Sequence, residues 1–436
     1  MVCDPENKEC MMHRCASCPG TAALEKFVSD ELGHLDMDAN MNYSQWDTTD
    51  RATFTTYTAT YEEYKDLLIM SIDNLTTHSY LAKAQSQYVK STKESLGRNE
   101  VLVLGDFAEN YQFLIQDEIQ SYHWSKEYCT LHPLVIYYKD SDGNLQHYSL
   151  CFISDDNMHD TSFVYQIQKL LVNFLKEKLP HVKKIIYVSD GCGAQYKNYK
   201  NFMNLCSHKQ DFGLDAEWVF FATSHGKSPC DGIGGSVKRH AAKRSLQRPL
   251  YNQILDYKAM LEVCETEMKS IVFIGIDKTE MQEVRKEMEK RYEDGDTVPG
   301  TRSSHHFIPL SSSKIGHKLC SEDESFVDVH DFNIPSPVDI GSITPSSYVT
   351  CSYNSFWWVG LINNIDMEMG DVHVDFMHPH GPRKTFNWPA RADKCYVPFK
   401  NIVHIIQAPT TITGRTYKIE NEDYNKTVAA FAKLHS

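Results

Sequence analysis

Three aspartates, Asp106, Asp190 and Asp231, stand where apolar runs end. VLVLGDF closes around the first, KKIIYVSD ends on the second, and the third follows AEWVFFA after a short loop. Carboxylates gathered at strand ends hold hard divalent cations, and phosphodiester chemistry uses two such ions about 4 Å apart, one activating the attacking hydroxyl and one stabilising the leaving oxygen. Taken singly, each aspartate is an ordinary cap of a turn or helix. Their joint placement is what predicts a site for two Mg²⁺ or Mn²⁺ ions. Glu262, Glu265 and Glu267 compete with Asp231 for the place of the third acid. His225 is a candidate for positioning substrate, against the commoner role of a structural hydrogen bonder, and Glu109 is either a supporting acid or a solvated one. Glycines at 191, 193, 226, 232, 234 and 235 surround the second and third acids, permitting close backbone approach to a phosphodiester or simply tight turns.

Lys227, Lys238, Arg239, Lys243 and Arg244 face a single acid, Asp231, over residues 227–244. That focus predicts contact with a phosphate backbone beside the acids, although a solvated helix is the plainer explanation of any charged run. The whole chain carries a formal charge of -14, which excludes a protein that coats nucleic acid along its entire surface. Cys3, Cys10, Cys15 and Cys18 form a second constellation, spaced C-x6-C-x4-C-x2-C, in which only the last pair has the usual knuckle spacing. Four thiolates would hold one Zn²⁺ and staple a segment too short for a core, with His13 able to replace one of them; the alternative is free thiols in a tail. Cys3 stands so near the start that the module is expected to begin upstream. The remaining cysteines are scattered, and no secretory leader or apolar run of membrane-spanning length occurs. Those features predict a reducing, intracellular setting without a membrane.

The elements that must position the acids are legible from patterning. Val101–Phe107, His132–Asp140 and Leu145–Ser154 read as strands, the last two joined by a turn at 140–144. Apolar residues at 163, 164, 167, 170, 171, 174 and 175 predict an amphipathic helix over Ser162–Leu179, ended by Pro180. A strand at Lys183–Asp190, a helix at Lys197–His208, a strand at Ala216–Ala222 and a helix opening near Asp231 complete the order β-β-β-α-β-α-β-α. That is the order of an α/β ribonuclease-H-like core with a mixed sheet. The chain divides accordingly into a Cys cluster (1–20), a helical region (21–99) with a helix at Thr77–Leu96, the α/β domain with a long helical extension from Leu250 to Tyr292 (100–292), a linker (293–345), a small β-barrel (346–408) and a tail with a helix (409–436). The barrel resembles Tudor-like or chromo modules, with Tyr353, Phe356, Trp357, Trp358, Phe376 and Trp388 as candidates either for an aromatic cage or merely for the core.

GDFAENYQ (Gly105–Gln112), SDGCGAQYKN (Ser189–Asn198) and HGKSPCDGIGGSVKR (His225–Arg239) resemble the motif blocks of eukaryotic DDE-type transposases and of transposon-derived proteins related to them. The resemblance covers about a third of the chain. It implies Asp106, Asp190 and Asp231 as metal ligands, DNA as substrate, cleavage followed by strand transfer, a nuclear location and assembly as a homo-oligomer. Two other readings share the fold: a catalytically silent protein that binds DNA or chromatin, and a nuclease without strand transfer.

Overall fold

The computed structural model describes residues 1–47, 53–114, 127–222, 228–293, 295–332, 340–353, 356–367, 369–380 and 384–434. The chain forms two compact units: Met1–Glu293 with Thr297–Ile308 and Gly316–Val329, and Asp294–Asp296 with Pro309–Ile315 and His330–Ser436. No described helix is long and apolar enough to cross a membrane.

The first unit begins with α1 (Lys8–Met11), α2 (Gly20–Leu32) and an antiparallel ribbon of β1 (Asn40–Asp47) and β2 (Thr53–Thr60), followed by α3 (Tyr61–Ser95). Helix α3 starts well before the expected Thr77. Thr60 and Glu63 form a reciprocal capping box that satisfies two N–H groups at its start, and the long polar face conceals the helical period upstream. Gln85 is wholly buried: its amide donates to the Phe220 carbonyl at 2.9 Å and to Ser321 Oγ at 3.0 Å, and its Oε1 accepts the Ser321 N–H at 2.9 Å.

The core elements are β3 (Glu100–Gly105), β4 (Tyr111–Gln112), β5 (Tyr128–Lys139), β6 (Leu145–Ser154), α4 (Thr161–Lys178), β7 (Lys184–Ser189), α5 (Tyr199–Phe212), β8 (Asp215–Phe220) and α6 (Pro229–Gln247). After them come α7 (Tyr257–Glu267), β9 (Val272–Ile276), α8 (Lys278–Tyr292), β10 (His306–Pro309), β11 (Lys314–Lys318) and β12 (Asp328–Asp331). Apart from the two-residue β4, the element order read from patterning is the observed one. The sheet is mixed, in the order β10-β8-β7-β3-β5-β6-β9. β3, β7 and β8 run parallel, β5 is antiparallel to β3 and β6, and β9 returns parallel to β6. Central strands are apolar on both faces because helices cover both: Val101 to Leu104 and Ile185 to Val188 are all buried.

Two expectations are corrected. The stretch 250–292 is not continuously helical: VFIGI forms β9 on the edge of β6, an apolar run too short for periodicity to separate strand from helix. The stretch 293–345 is more than a linker, since β10 pairs with β8 and wholly buried Phe307 stacks on Phe202 at 4.1 Å.

The second unit is an antiparallel half-barrel of β13 (Tyr348–Tyr353), β14 (Phe356–Asp366), β15 (Asp371–Pro379), β16 (Thr385–Asn387), β17 (Lys394–Pro398), β18 (Ile402–Ile406), β19 (Thr410–Thr411) and β20 (Tyr417–Lys418). Helix α9 (Asn421–Leu434) follows. The supposed tail belongs to this fold. β19 and β20 extend the sheet, and α9 is tied down by Thr427 Oγ1 to Thr350 Oγ1 at 3.2 Å and by the Gln407 N–H to Asp423 at 2.8 Å. The aromatic candidates do not assemble into one cage. Strand alternation sends Trp357 to one core cluster with Phe386, Ile419 and Trp388, and Trp358 to another with Phe376. Tyr353 and Phe356, opposite each other at a hairpin end, stay exposed.

Candidate functional site

β3 and β7 lie side by side with Leu104 opposite Val188, so Asp106 and Asp190, each two residues beyond, leave the sheet together. Both line one pocket with Ser228. Ser228 caps α6, accepting the Cys230 N–H at 3.2 Å, while Asp231 in the first turn accepts the Ser228 N–H at 3.2 Å. That turn is anchored to β3: the buried Cys230 thiol reaches the Leu104 carbonyl at 3.5 Å. Glycine at 234 is required by close approach, since a Cβ there would stand 3.1 Å from the Ala108 methyl and 3.4 Å from Pro133. The third acid is therefore delivered by a helix start pressed against the loop that carries the first.

Asp106 is half-buried, and its carboxyl is pushed up to about 7, first by burial, then by the charge of Asp190 and then by that of Asp231. Like charges felt by Asp106 from both Asp190 and Asp231 are the electrostatic condition that a divalent cation relieves. Asp190 spends one oxygen on the Cys192 N–H at 3.1 Å and Asp231 one on Ser228, and the other oxygen of each takes no hydrogen bond among the described residues. These hard oxygen donors fit Mg²⁺ or Mn²⁺ in kind. Among the described residues, however, the only set whose ligand atoms all lie within 4.8 Å of one another is the four N-terminal thiols. Asp106 and Asp190 share a pocket, Asp231 follows its Ser228 wall on α6, and the three carboxylates do not close on a single point.

His225 and Lys227 lie outside the described residues. Glu262, Glu265 and Glu267 are carried away on α7; the charges that act on Asp106 are those of Asp190 and Asp231. Glu267 instead binds Arg244, and His240 at 3.0 Å, so Arg244 is engaged within the protein while Arg239 and Lys243 remain exposed along α6 and Lys238 is half-buried. Glu109 is exposed.

Patterning missed the layer beneath the acids. Tyr196, fully buried, feels the charges of both Asp106 and Asp190 and bonds His132 Nε2 at 2.8 Å. His132 is fully buried on β5, and burial drives its imidazole down to about 3, so it stays neutral. A Cβ at Gly105 would stand 3.0 Å from its ring. Lys197 lies under the same loop and is lowered to about 8 by burial, with Nζ donating to the Arg302 carbonyl at 3.2 Å. Tyr196 and Lys197 sit inside the SDGCGAQYKN block, which was the available signal; their link to His132 was not readable.

The cysteine cluster does assemble. Cys3 Sγ lies 3.4, 3.8 and 3.5 Å from the sulfurs of Cys10, Cys15 and Cys18. Zn–S bonds of about 2.3 Å at tetrahedral angles place sulfurs roughly 3.8 Å apart, so the four thiols can hold a zinc-like metal. His13 is not one of the set; it turns to Asp73 at 3.6 Å.

No curated protein and no solved structure matches the chain. The model for a domain of unknown function (DUF8700) matches residues 1–76, the segment holding the thiols, the ribbon and the start of α3. The second family model begins within the same helix, at Gln85, and takes in the mixed sheet, the acids and the buried layer below them. By that match, over residues 85–321, the chain belongs to the family described as domain of unknown function DUF8701.

Proposed function

We propose that residues 100–247 are a ribonuclease-H-like catalytic core acting on DNA as a metal-dependent polynucleotidyl transferase of the DDE-transposase kind. The observation that carries this reading is that Asp106 and Asp190 leave one end of a sheet ordered β6-β5-β3-β7-β8, with β5 reversed, and that the charges of Asp190 and Asp231 add to burial in raising the proton affinity of Asp106. Mg²⁺ or Mn²⁺, when bound, supplies activation of the attacking oxygen and stabilisation of the leaving one. The chain's own part is to present one oxygen each from Asp190 and Asp231, to hold Asp106 against them, and to offer Lys238, Arg239 and Lys243 to the phosphate backbone. Nuclear location, oligomeric assembly and strand transfer belong to this same reading. Zn²⁺ is the proposed occupant of the four thiols, with a structural role.

One observation favours a second reading, a DNA-binding protein that keeps the fold without the reaction: the carboxylates do not draw as close as the thiols do. The test is Mn²⁺-dependent nicking of supercoiled DNA by the full chain and by Asp190→Asn. Loss of nicking in a variant of unchanged melting temperature supports the enzyme. Nicking that persists in Asp190→Asn overturns the site, and a wild-type chain that binds DNA but never nicks it selects the silent reading.

A further inference from the structure

An open cavity of about 380 Å³ is lined in part by the loop that follows Asp190. Gly193 and Ala194 form its rim, and Gly193, three residues from Asp190, stands within about 11 Å of it. The walls mix polar and apolar surface and are tied together by hydrogen bonds. Asn198 Nδ2 donates to Thr161 Oγ1 and to the Gly193 carbonyl, both at 2.8 Å, fastening the start of α5 to the start of α4 and to the loop. Arg285 is locked by Asp156 and Asp160, so its charge is spent in the wall. What the cavity offers a ligand is therefore the exposed Lys200 ammonium, the Glu289 carboxylate and the half-buried ring of Tyr199. The main-chain N–H groups of Thr161, Ser162, Tyr199 and Lys200, in the first turns of α4 and α5, take no hydrogen-bond partner among the described residues and add to the cation.

A cation with clustered N–H donors, a planar ring and a lone carboxylate are the complements of a phosphate, a nucleobase and a hydroxyl or amino donor. We propose that this cavity binds one nucleotide of the DNA strand, its phosphate on Lys200 and the paired helix starts and its base on Tyr199. It thereby grips the strand a short way from the phosphodiester facing Asp106 and Asp190. The substrate side of this inference rests on the polynucleotide reading above; the volume is that of a small-ligand pocket, room enough for one unstacked nucleotide.

The test titrates 2′-deoxyadenosine 5′-monophosphate, 2′-deoxyadenosine and inorganic phosphate into the full chain, without divalent metal, by calorimetry or NMR. The monophosphate binds more tightly than either fragment. Lys200→Met weakens the monophosphate and phosphate roughly tenfold and spares the nucleoside, with Lys200→Arg restoring most of the loss. Tyr199→Ala weakens the monophosphate and the nucleoside roughly fivefold. Binding of the monophosphate no tighter than phosphate, or unmoved by both variants, overturns the inference. A chain that shows the expected binding but never nicks DNA overturns the catalytic reading alone, and one that nicks DNA with an indifferent cavity overturns this inference alone.

Discussion

Asp106 and Asp190 lie just beyond two neighbouring parallel strands whose last paired residues are Leu104 and Val188, so the register of the sheet brings both out at the same edge. Burial first, and then the charges of Asp190 and Asp231, raise the proton affinity of Asp106 to about 7. An aspartate whose folded pKa lies above the unfolded value of about 3.9 binds a proton in the native state that the unfolded chain has already lost. Stability of the metal-free protein is therefore expected to fall as pH rises from about 4 to about 7, and to stay low above that.

Asp106→Asn removes this effect. At pH 8 without metal the variant is expected to be more stable than wild type by on the order of 2 kcal/mol, a figure already reduced for solvent screening of a partly exposed group. At pH 4 the two should unfold alike. Mn²⁺ should raise the melting temperature of the wild type at pH 8 and leave the variant nearly unmoved. Denaturant curves at the two pH values decide it; a wild type as stable at pH 8 as at pH 4 shows that the acids do not repel one another.

Tyr196→Phe tests the layer beneath the acids. The change keeps the ring and deletes the hydroxyl that pairs with His132 Nε2, in a histidine whose Nδ1 has no hydrogen-bond partner among the described residues. Leaving a buried polar atom unpaired costs about 1–3 kcal/mol. Because the Tyr196 phenol feels the charges of both carboxylates, Mn²⁺ affinity should also fall roughly tenfold, as outer-layer changes at metal sites do. A stability loss with unchanged Mn²⁺ binding would confine Tyr196 to packing.

How much of this was readable depended on where each partner lay in the chain. β6 was placed to the residue, because the turn before it carries its own chemistry: Asp140 accepts the Asn144 N–H at 2.9 Å and Gly143 takes a φ of 81°. Strand-end position located Asp106 and Asp190 for the same reason, since sequence and sheet register agree there. The ribbon at 40–60 was missed because its strands are Thr- and Asn-rich, with little apolar alternation to reveal them. β9 was absorbed into a helical reading because five apolar residues between two helices carry no period. His132 under Tyr196, and Glu267 against Arg244, are pairings made by tertiary structure between residues far apart in sequence, and no local pattern encodes them.

The thiol cluster yields a stoichiometric prediction. The purified chain should carry one zinc. Its removal by chelator should lower the melting temperature, because the cluster is tied to the rest of the unit through the Thr77 hydroxyl on the Met11 carbonyl at 3.2 Å and through Lys8 on Asp323. Cys10→Ser, at the most buried of the four, should release the metal outright, whereas His13→Ala should not. Native mass spectrometry reads both, and retention of zinc by Cys10→Ser would remove that residue from the ligand set.

The cations of α6 divide by their neighbours. Lys243 is exposed and has no carboxylate beside it among the described ion pairs, whereas Arg244, one residue on, is held by Glu267 on α7. A phosphate contact is measured by the salt dependence of binding, and each one lost lowers the slope of log K against log salt by roughly 1. Lys243→Ala is therefore expected to reduce the slope for duplex DNA by about that amount while leaving stability unchanged. Arg244→Ala should scarcely move the slope. Its cost is to the α6–α7 contact, and small for a pair so open to solvent. Equal slope changes in the two variants would mean that Arg244 leaves Glu267 when DNA binds, and no change in either would remove α6 from the interface.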